Sequence, residues 1–472
     1  MTQEYDPKDA ESITRYARRL MGRTLGDFIS EEELAGLQTV NRSKGSFGTA
    51  LEELYFHISP GNAEGVPDFE QANLELKTCP TLYKGQLLVA KERLVLSMID
   101  YMSLPEEEWE TSTFIKKNRN LLLVFYLHED DIPIRDLRIE LVGRWSFQAE
   151  DLLIIRADWE RIKAKVTEGK ADELSEGDTL YLKACTKATS SKDRRPQPNS
   201  SRLAKPRAFS LPPSHVNSII ERMRQRNAAA ELANSVVKGP EELMERSFEQ
   251  LVHEKFQPYL GRPVKDIASE LGLDYNPSIK QYNALITKGI LVVKEKAMEF
   301  ERAGVIIRNV LLDSNGRLGE SISFPAFDYN ELDKEADWET SSVREMFEQR
   351  FFFVIYQKDC EGKRFLKDVM FWTIPPNDLL EIEKVWKKTK ECIRQGRYDD
   401  LPRISENDVS HVRPHGRNKE DKVEAPDGSM VTKRSFWLNR KYVERQISLG
   451  RAQKNNAQSK LSPVESSSLI LR

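Results

Sequence analysis

Asp68, in Pro67-Asp68-Phe69, precedes Glu75 and Lys77, in Leu74-Glu75-Leu76-Lys77. Residues two apart in a strand project to one face. Leu74 and Leu76 are therefore expected in the core, with Glu75 and Lys77 facing together into a cleft. A turn at Pro67 would bring Asp68 alongside Glu75. Two converging carboxylates make an all-oxygen site suited to magnesium. A metal there neutralises charge growing on a phosphate and helps deprotonate a water, and a lysine beside it orients that water or stabilises the pentavalent phosphate. The spacing Asp, then Glu-x-Lys, is that of phosphodiester hydrolysis. The bare motif is weak, because charged residues make up 31% of the chain, and a solvated strand face with a paired Glu and Lys has the same spelling. A preceding helix that contains Glu52 and nearby basic segments add weight to the chemical reading.

The chain carries its landmarks twice. Trp109-Glu110-Thr111-Ser112 recurs as Trp338-Glu339-Thr340-Ser341, and the apolar run Leu121 to Tyr126 recurs as Phe351 to Tyr356. Asp151-Leu152-Leu153 followed by Trp159 and Gly169 recurs as Asp378-Leu379-Leu380 followed by Trp386 and Gly396. The offset stays between 227 and 231 residues, which marks a duplicated domain. At the same offset Glu299, Ile306 and Arg308 stand for Asp68, Glu75 and Lys77. One copy thus has a complete acidic site, and the other keeps the pattern without it.

These residues need elements to hold them. Ile13, Tyr16, Ala17, Leu20 and Met21 mark one helical face. Ser30 with Glu33 spells a capping box, and Ser46 to His57 predicts a helix that buries Phe47, Leu51, Leu54 and Tyr55. Residues 73–78, 94–99 and 121–126 predict strands, and residues 157–168 and 216–230 predict helices. The Ser/Lys/Arg/Pro-rich stretch 186–202 predicts a mobile loop. The junction between the copies is expected near Ala233 to Pro240, giving domains 1–233 and 240–472.

Composition excludes several classes. No run of 18 apolar residues exists, so no membrane helix is expected. The polar start Met-Thr-Gln-Glu-Tyr-Asp does not resemble a secretory signal. Cys79, Cys185, Cys360 and Cys392 are scattered, forming neither a disulfide framework nor a zinc pattern, as expected of a cytoplasmic protein. No Gly-rich phosphate loop or Ser/His/Asp set is present. His411 and His415 flank Pro414, which argues against a helical metal pair and for loop or DNA-contacting residues. Net charge is −3, yet residues 183–226 carry eleven Lys or Arg against two acids and residues 403–472 carry fourteen against eight. Basic charge at the end of each copy is a footprint of phosphate contacts, although a solvated basic linker has the same composition.

Lys44-Gly45-Ser46-Phe47-Gly48-x-x-x-Glu52, Asp68-Phe69, Glu75-Leu76-Lys77-Thr78-x-Pro80, Trp109-Glu110-Thr111-Ser112 and Pro206-Arg207-x-Phe209 follow one another as in MutH, the mismatch-repair nuclease. That resemblance covers residues 1 to about 230. The two-copy arrangement, with Val412-Arg413-Pro414-His415 near its end, resembles the Sau-type restriction endonucleases over nearly the whole chain. The resemblance implies an α/β fold of two tandem MutH-like domains, each a mixed sheet flanked by helices. It implies Asp68 and Glu75 as ligands of Mg2+, Lys77 as the catalytic lysine, Glu52 as the helix glutamate completing the acidic cluster, and Lys117 as a second active-site lysine. Read from the residues alone, Lys117 is a surface position before a buried strand. It implies DNA contacts from Lys44, Arg207 and Arg413.

The activity so implied is a Mg2+-dependent type II cut of double-stranded DNA before the guanine of 5′-GATC. The C-terminal copy, lacking the catalytic residues, would bind a second recognition site as allosteric effector. The implied partners are two-site duplex DNA and a cognate DNA methyltransferase, with a monomer in solution that pairs on DNA and no membrane. Two rivals stand beside this reading. One is a MutH-like repair nuclease that nicks a single strand, and the other is a non-catalytic DNA-binding or looping protein.

Overall fold

The structure is a computed structural model, and it describes residues 4–35, 46–58, 65–187, 190, 192–224, 233–276, 278–279, 281–418 and 420–461. The chain forms two compact units, one of Met1–Lys255 with Lys288–Ile306, the other of Phe256–Thr287 with Ile307–Arg472. The junction suggested by the sequence, Ala233 to Pro240, lies inside the first unit.

In the first unit β1 (Glu75–Lys84) and β2 (Leu87–Ala90) form a hairpin. β4 (Asn120–Leu127) and β5 (Ile139–Ser146) complete a sheet in the order β2-β1-β4-β5. β1 runs parallel to β4, while β4 and β5 are antiparallel, so the sheet is mixed. Leu121 to Phe125 of β4 are fully buried, which is why this central strand reads as an unbroken apolar run rather than an alternation. A second, antiparallel sheet has the order β3-β7-β6, from Leu94–Met98, Arg207–Leu211 and Lys183–Thr186.

The second unit repeats this plan. β8 (Ile306–Leu312), β10 (Phe351–Lys358) and β11 (Arg364–Trp372) form a sheet in the order β11-β10-β8. β9 (Ile322–Ala326), β12 (Ser410–Pro414) and β15 (Arg434–Leu438) form another in the order β12-β15-β9. A hairpin, β13 (Lys422–Glu424) with β14 (Met430–Thr432), stands apart. The order β9-β15-β12 mirrors β3-β7-β6, and β10 is as fully buried as β4.

The repeated Trp-Glu-Thr-Ser has a local reason. In each copy a buried Trp opens a 3-10 turn, and the Ser that ends it caps the next helix. Ser112 Oγ accepts from Ile115 N at 3.2 Å, starting the helix Thr113–Asn118. Ser341 Oγ accepts from Arg344 N at 3.1 Å, starting Ser342–Phe347. Such caps are worth about 1 kcal/mol. The repeated Asp also has a duty in each copy, on the long helices Ala149–Thr167 and Pro376–Arg394. Asp151 is buried and pairs with Arg302 at 2.9 Å, whereas Asp378 accepts from Tyr442 Oη at 2.7 Å.

Several expectations shift. The helix over 46–57 is an α-turn, Ser46–Ala50, continued as a π-turn, Leu51–Tyr55. Met21 is not on the buried face, at 43% exposure, because the helix ends at Ala17 and a 3-10 turn rotates it outward. Ser30 and Glu33 do form the expected reciprocal cap. His411 lies on β12 rather than in a loop, buried, with Nδ1 2.5 Å from Asn439 Oδ1.

Candidate active site

The turn between Asp68 and β1 assembles the site. Phe69 and Leu74 exchange backbone hydrogen bonds, N to O at 3.0 and 3.2 Å. Asn73 closes the turn at φ 48°, a left-handed conformation that Asn tolerates better than most residues. The chain therefore doubles back, and Asp68 lies beside the start of β1. Asp68 N donates to Glu75 Oε2 at 3.1 Å, and Leu76 N donates to Asp68 Oδ2 at 2.9 Å. Leu74 and Leu76 are buried, as the alternation predicts.

Both lysines meet Glu75. Lys77 Nζ is 2.6 Å and Lys117 Nζ 3.5 Å from Glu75 Oε1. Lys117 arrives from the capped helix Thr113–Asn118, which leads directly into β4, the parallel neighbour of β1. That tertiary route is why its sequence context reads as surface. Glu75 is only 1% exposed. Burial pushes its carboxyl up, the Lys77 ammonium opposes this, and Asp68 adds to the rise. Glu52 is pushed up to about 7, first by burial and then by Asp68 and Glu75, against the pull of Lys77 and Lys117. Hydrogen bonds and ion pairs thus join Asp68, Glu75, Lys77 and Lys117, and the raised Glu52 carboxyl responds to all four.

The arrangement concentrates carboxylates that repel one another, relieved in part by two ammoniums. A dication is the natural further relief, and Asp68 and Glu75 are oxygen donors of the kind it prefers. Among the described residues no three His, Cys, Asp or Glu side chains are drawn close enough to enclose an ion. Glu75 Oε1 is engaged by the lysines instead.

The DNA-contact residues read from the sequence are placed differently. Lys44 lies outside the described residues. Arg207 opens β7 with 4% exposure, and its Nη1 donates to Ala184 O at 2.6 Å, so its guanidinium points into the protein rather than outward. Lys187, Lys192 and Arg195, in the same basic stretch, are exposed. Arg195 pairs backbone to backbone with Ala204, which holds the loop as a hairpin. The charge count flagged this stretch, but not which of its cations stand out. Arg413 is exposed on β12, with its guanidinium 4.1 Å from the ring centre of Trp437.

Among the described residues, the second unit has no comparable site at its matching strand. Ile306 replaces the glutamate. Arg308 donates to Ser323 O at 3.2 Å, its Nε has no partner among the described residues, and burial alone lowers its pKa. Glu299 does not correspond to Asp68. It sits on the helix Met298–Ala303, buried, and accepts from Val236 N and Val237 N at 2.9 and 3.0 Å. The shared offset is misleading here because a helix stands where the first copy has a turn.

The family model "DNA mismatch repair enzyme MutH" matches residues 56–158, which contain Asp68, Glu75, Lys77 and Lys117. The type II restriction enzyme Sau3AI of Staphylococcus aureus is 31% identical over 88% of this chain and 94% of its own length. This chain belongs to the Sau3AI family. The MutH proteins of Shewanella woodyi and Vibrio parahaemolyticus are 27% and 28% identical, over 47% and 39% of this chain and 95% and 84% of their own lengths. The Sau3AI likeness therefore spans both units, while MutH-type relatives match less than half of the chain.

Proposed function

We propose that this MutH-like restriction endonuclease cuts duplex DNA before the guanine of 5′-GATC, leaving a four-base 5′ overhang. Membership of the Sau3AI family makes it a site-specific deoxyribonuclease; the sequence of the site is the finer reading. The observation that carries it is the meeting of Lys77 and Lys117 on Glu75 beside Asp68 in the first unit, against Ile306 and Arg308 at the matching places on β8.

Asp68 and Glu75 would hold Mg2+, which when bound supplies charge neutralisation at the phosphate and acidifies water. Lys77 orients the attacking water and balances the developing charge. Lys117 adds a second positive charge to the same carboxylate, and Glu52 completes the acidic cluster from the π-turn. Arg207 supports the recognition loop, and Lys44 approaches the backbone. Arg413, stacked on Trp437, contacts a second GATC held by the C-terminal domain, 240–472, which acts as effector of the catalytic domain, 1–233. The enzyme works in the cytoplasm beside a cognate methyltransferase, as a monomer that pairs on DNA.

Supercoiled plasmid with Mg2+ tests this. Linear fragments ending in 5′-GATC overhangs are expected. Stable nicked circles would favour the repair role, and a gel shift without breakage would favour a binder. DNA carrying two sites is expected to be cut faster than DNA carrying one, and equal rates would remove the effector role.

A further inference from the structure

A groove of 740 Å³ in the second unit lies between the end of β8, the turn 313–319 and the first turns of the helix Arg440–Leu461. Arg317, Lys358, Arg440 and Lys441 line it, and Arg445 follows Lys441 one helical turn on. Among the described residues none of these five forms an ion pair with a carboxylate. The two acids of the groove are already engaged by backbone amides. Asp313 Oδ1 accepts from Asn315 N and Arg317 N, and Glu444 Oε1 accepts from Leu318 N at 2.6 Å. Lys358 also stands directly across the β10–β11 ladder from Arg364. Like charges opposite one another weaken a ladder, so this concentration is not explained by stability.

The first unit shows what normally covers this place. Ser214, Ser218 and Arg222 on its helix Pro213–Met223 stand at the positions that Lys441, Arg445 and Leu449 take in the second copy. There the stripe is covered by the helix Met298–Ala303. Ser214 Oγ donates to Arg302 O at 3.1 Å, and Arg302 Nε donates to Ser218 Oγ at 2.9 Å. In the second unit the same stripe is open, and its serines are replaced by cations.

We infer that this edge of the second unit grips the phosphate backbone of duplex DNA, as a contact additional to that of Arg413. The inference rests on the DNA-cutting reading above. Charge selects the occupant. Cations spaced one helical turn apart on an exposed face suit a polyanion, and counterion release makes each such contact measurable. The groove lies away from the positions that match the acidic site, because Leu312 is four residues further along β8 than Arg308, about 13 Å at a strand's rise per residue.

The test measures affinity for a 30-bp duplex without GATC, as a function of salt and without divalent metal. For Lys441→Ala with Arg445→Ala, the slope of log affinity against log salt should become shallower by about two, with roughly tenfold weaker binding at low salt. Lys441→Arg with Arg445→Lys should restore both. Both positions are exposed, and circular dichroism checks that the double variant is folded. Cutting of a GATC duplex by the wild-type chain with Mg2+ reports separately on the nuclease reading. An unchanged slope overturns the inference. So does a variant that keeps the slope but loses self-association in sedimentation, which would mark the face as a protein contact.

Discussion

Strands β1 and β8 hold the same place in the two units but meet different surroundings. Around β1 a turn returns Asp68, a π-turn brings Glu52, and a capped helix brings Lys117. Around β8 the matching positions carry Ile306 and Arg308, and the acid at the shared offset is spent on backbone amides. The sheets, the Trp-Glu-Thr-Ser turn and the long helix with its anchoring Asp persist in both. The fold therefore does not depend on the acidic cluster, and the cluster's cost, seen in the raised Glu52 and Glu75 carboxyls, is carried in one unit alone.

That contrast is open to attack in order of effect. Glu75→Ala should lower cleavage at saturating Mg2+ by at least about a thousandfold, on the scale of losing a key electrostatic group, while DNA still binds. Ile306→Ala should leave single-turnover cleavage nearly unchanged. If both substitutions slow cutting equally, the division of labour between units is wrong. Trp109→Ala and Trp338→Ala remove buried rings that pack on Trp159 and Trp386 at 5.7 and 5.6 Å. Each should destabilise by about 3 kcal/mol in urea titrations, because this feature is shared. A large disparity between them would show that the repeat is one of sequence more than of packing.

Glu52→Gln separates chemistry from stability. A carboxyl raised to about 7 in the folded state binds more protons than in the unfolded chain between its ordinary value and 7. Wild-type stability should thus fall as pH rises across that window. Without metal, the Gln variant should melt a few degrees higher than wild type at pH 8 and alike at pH 4.5, while losing cleavage. Equal melting temperatures at pH 8 would sink the proposed crowding of carboxylates. Last, Ile306→Glu with Arg308→Lys in the Glu75→Ala background should restore no cutting, because no counterpart of Asp68 comes beside β8. Any restored plasmid cleavage would show that the second site needs only those two side chains.

The strand motif was legible because alternation places Leu74 and Leu76 inward by local geometry alone. Lys117 was not legible from its own surroundings, since only the parallel pairing of β1 with β4 brings its helix to Glu75. Arg207 misled for the opposite reason. The family motif Pro206-Arg207-x-Phe209 implied a DNA contact, yet the start of β7 turns the guanidinium toward Ala184 O. The matched Trp-Glu-Thr-Ser turns were visible as a repeat, but their work, a buried ring joined to a helix cap, needed hydrogen bonds to be seen. The composition of the first unit was hidden most completely, because residues 288–306 return to it through a pair, Asp151 with Arg302, that lie 151 positions apart.

That return has a practical bearing on fragments. Cuts at the sequence repeat that give pieces 1–233 and 240–472 would strip the front piece of Arg302 and leave Asp151 sealed inside without its nearest guanidinium. They would also leave the rear piece holding Glu299 with no Val236 and Val237 amides to receive it. The gene copied a module, but the finished protein has stitched the seam so that neither half comes away whole.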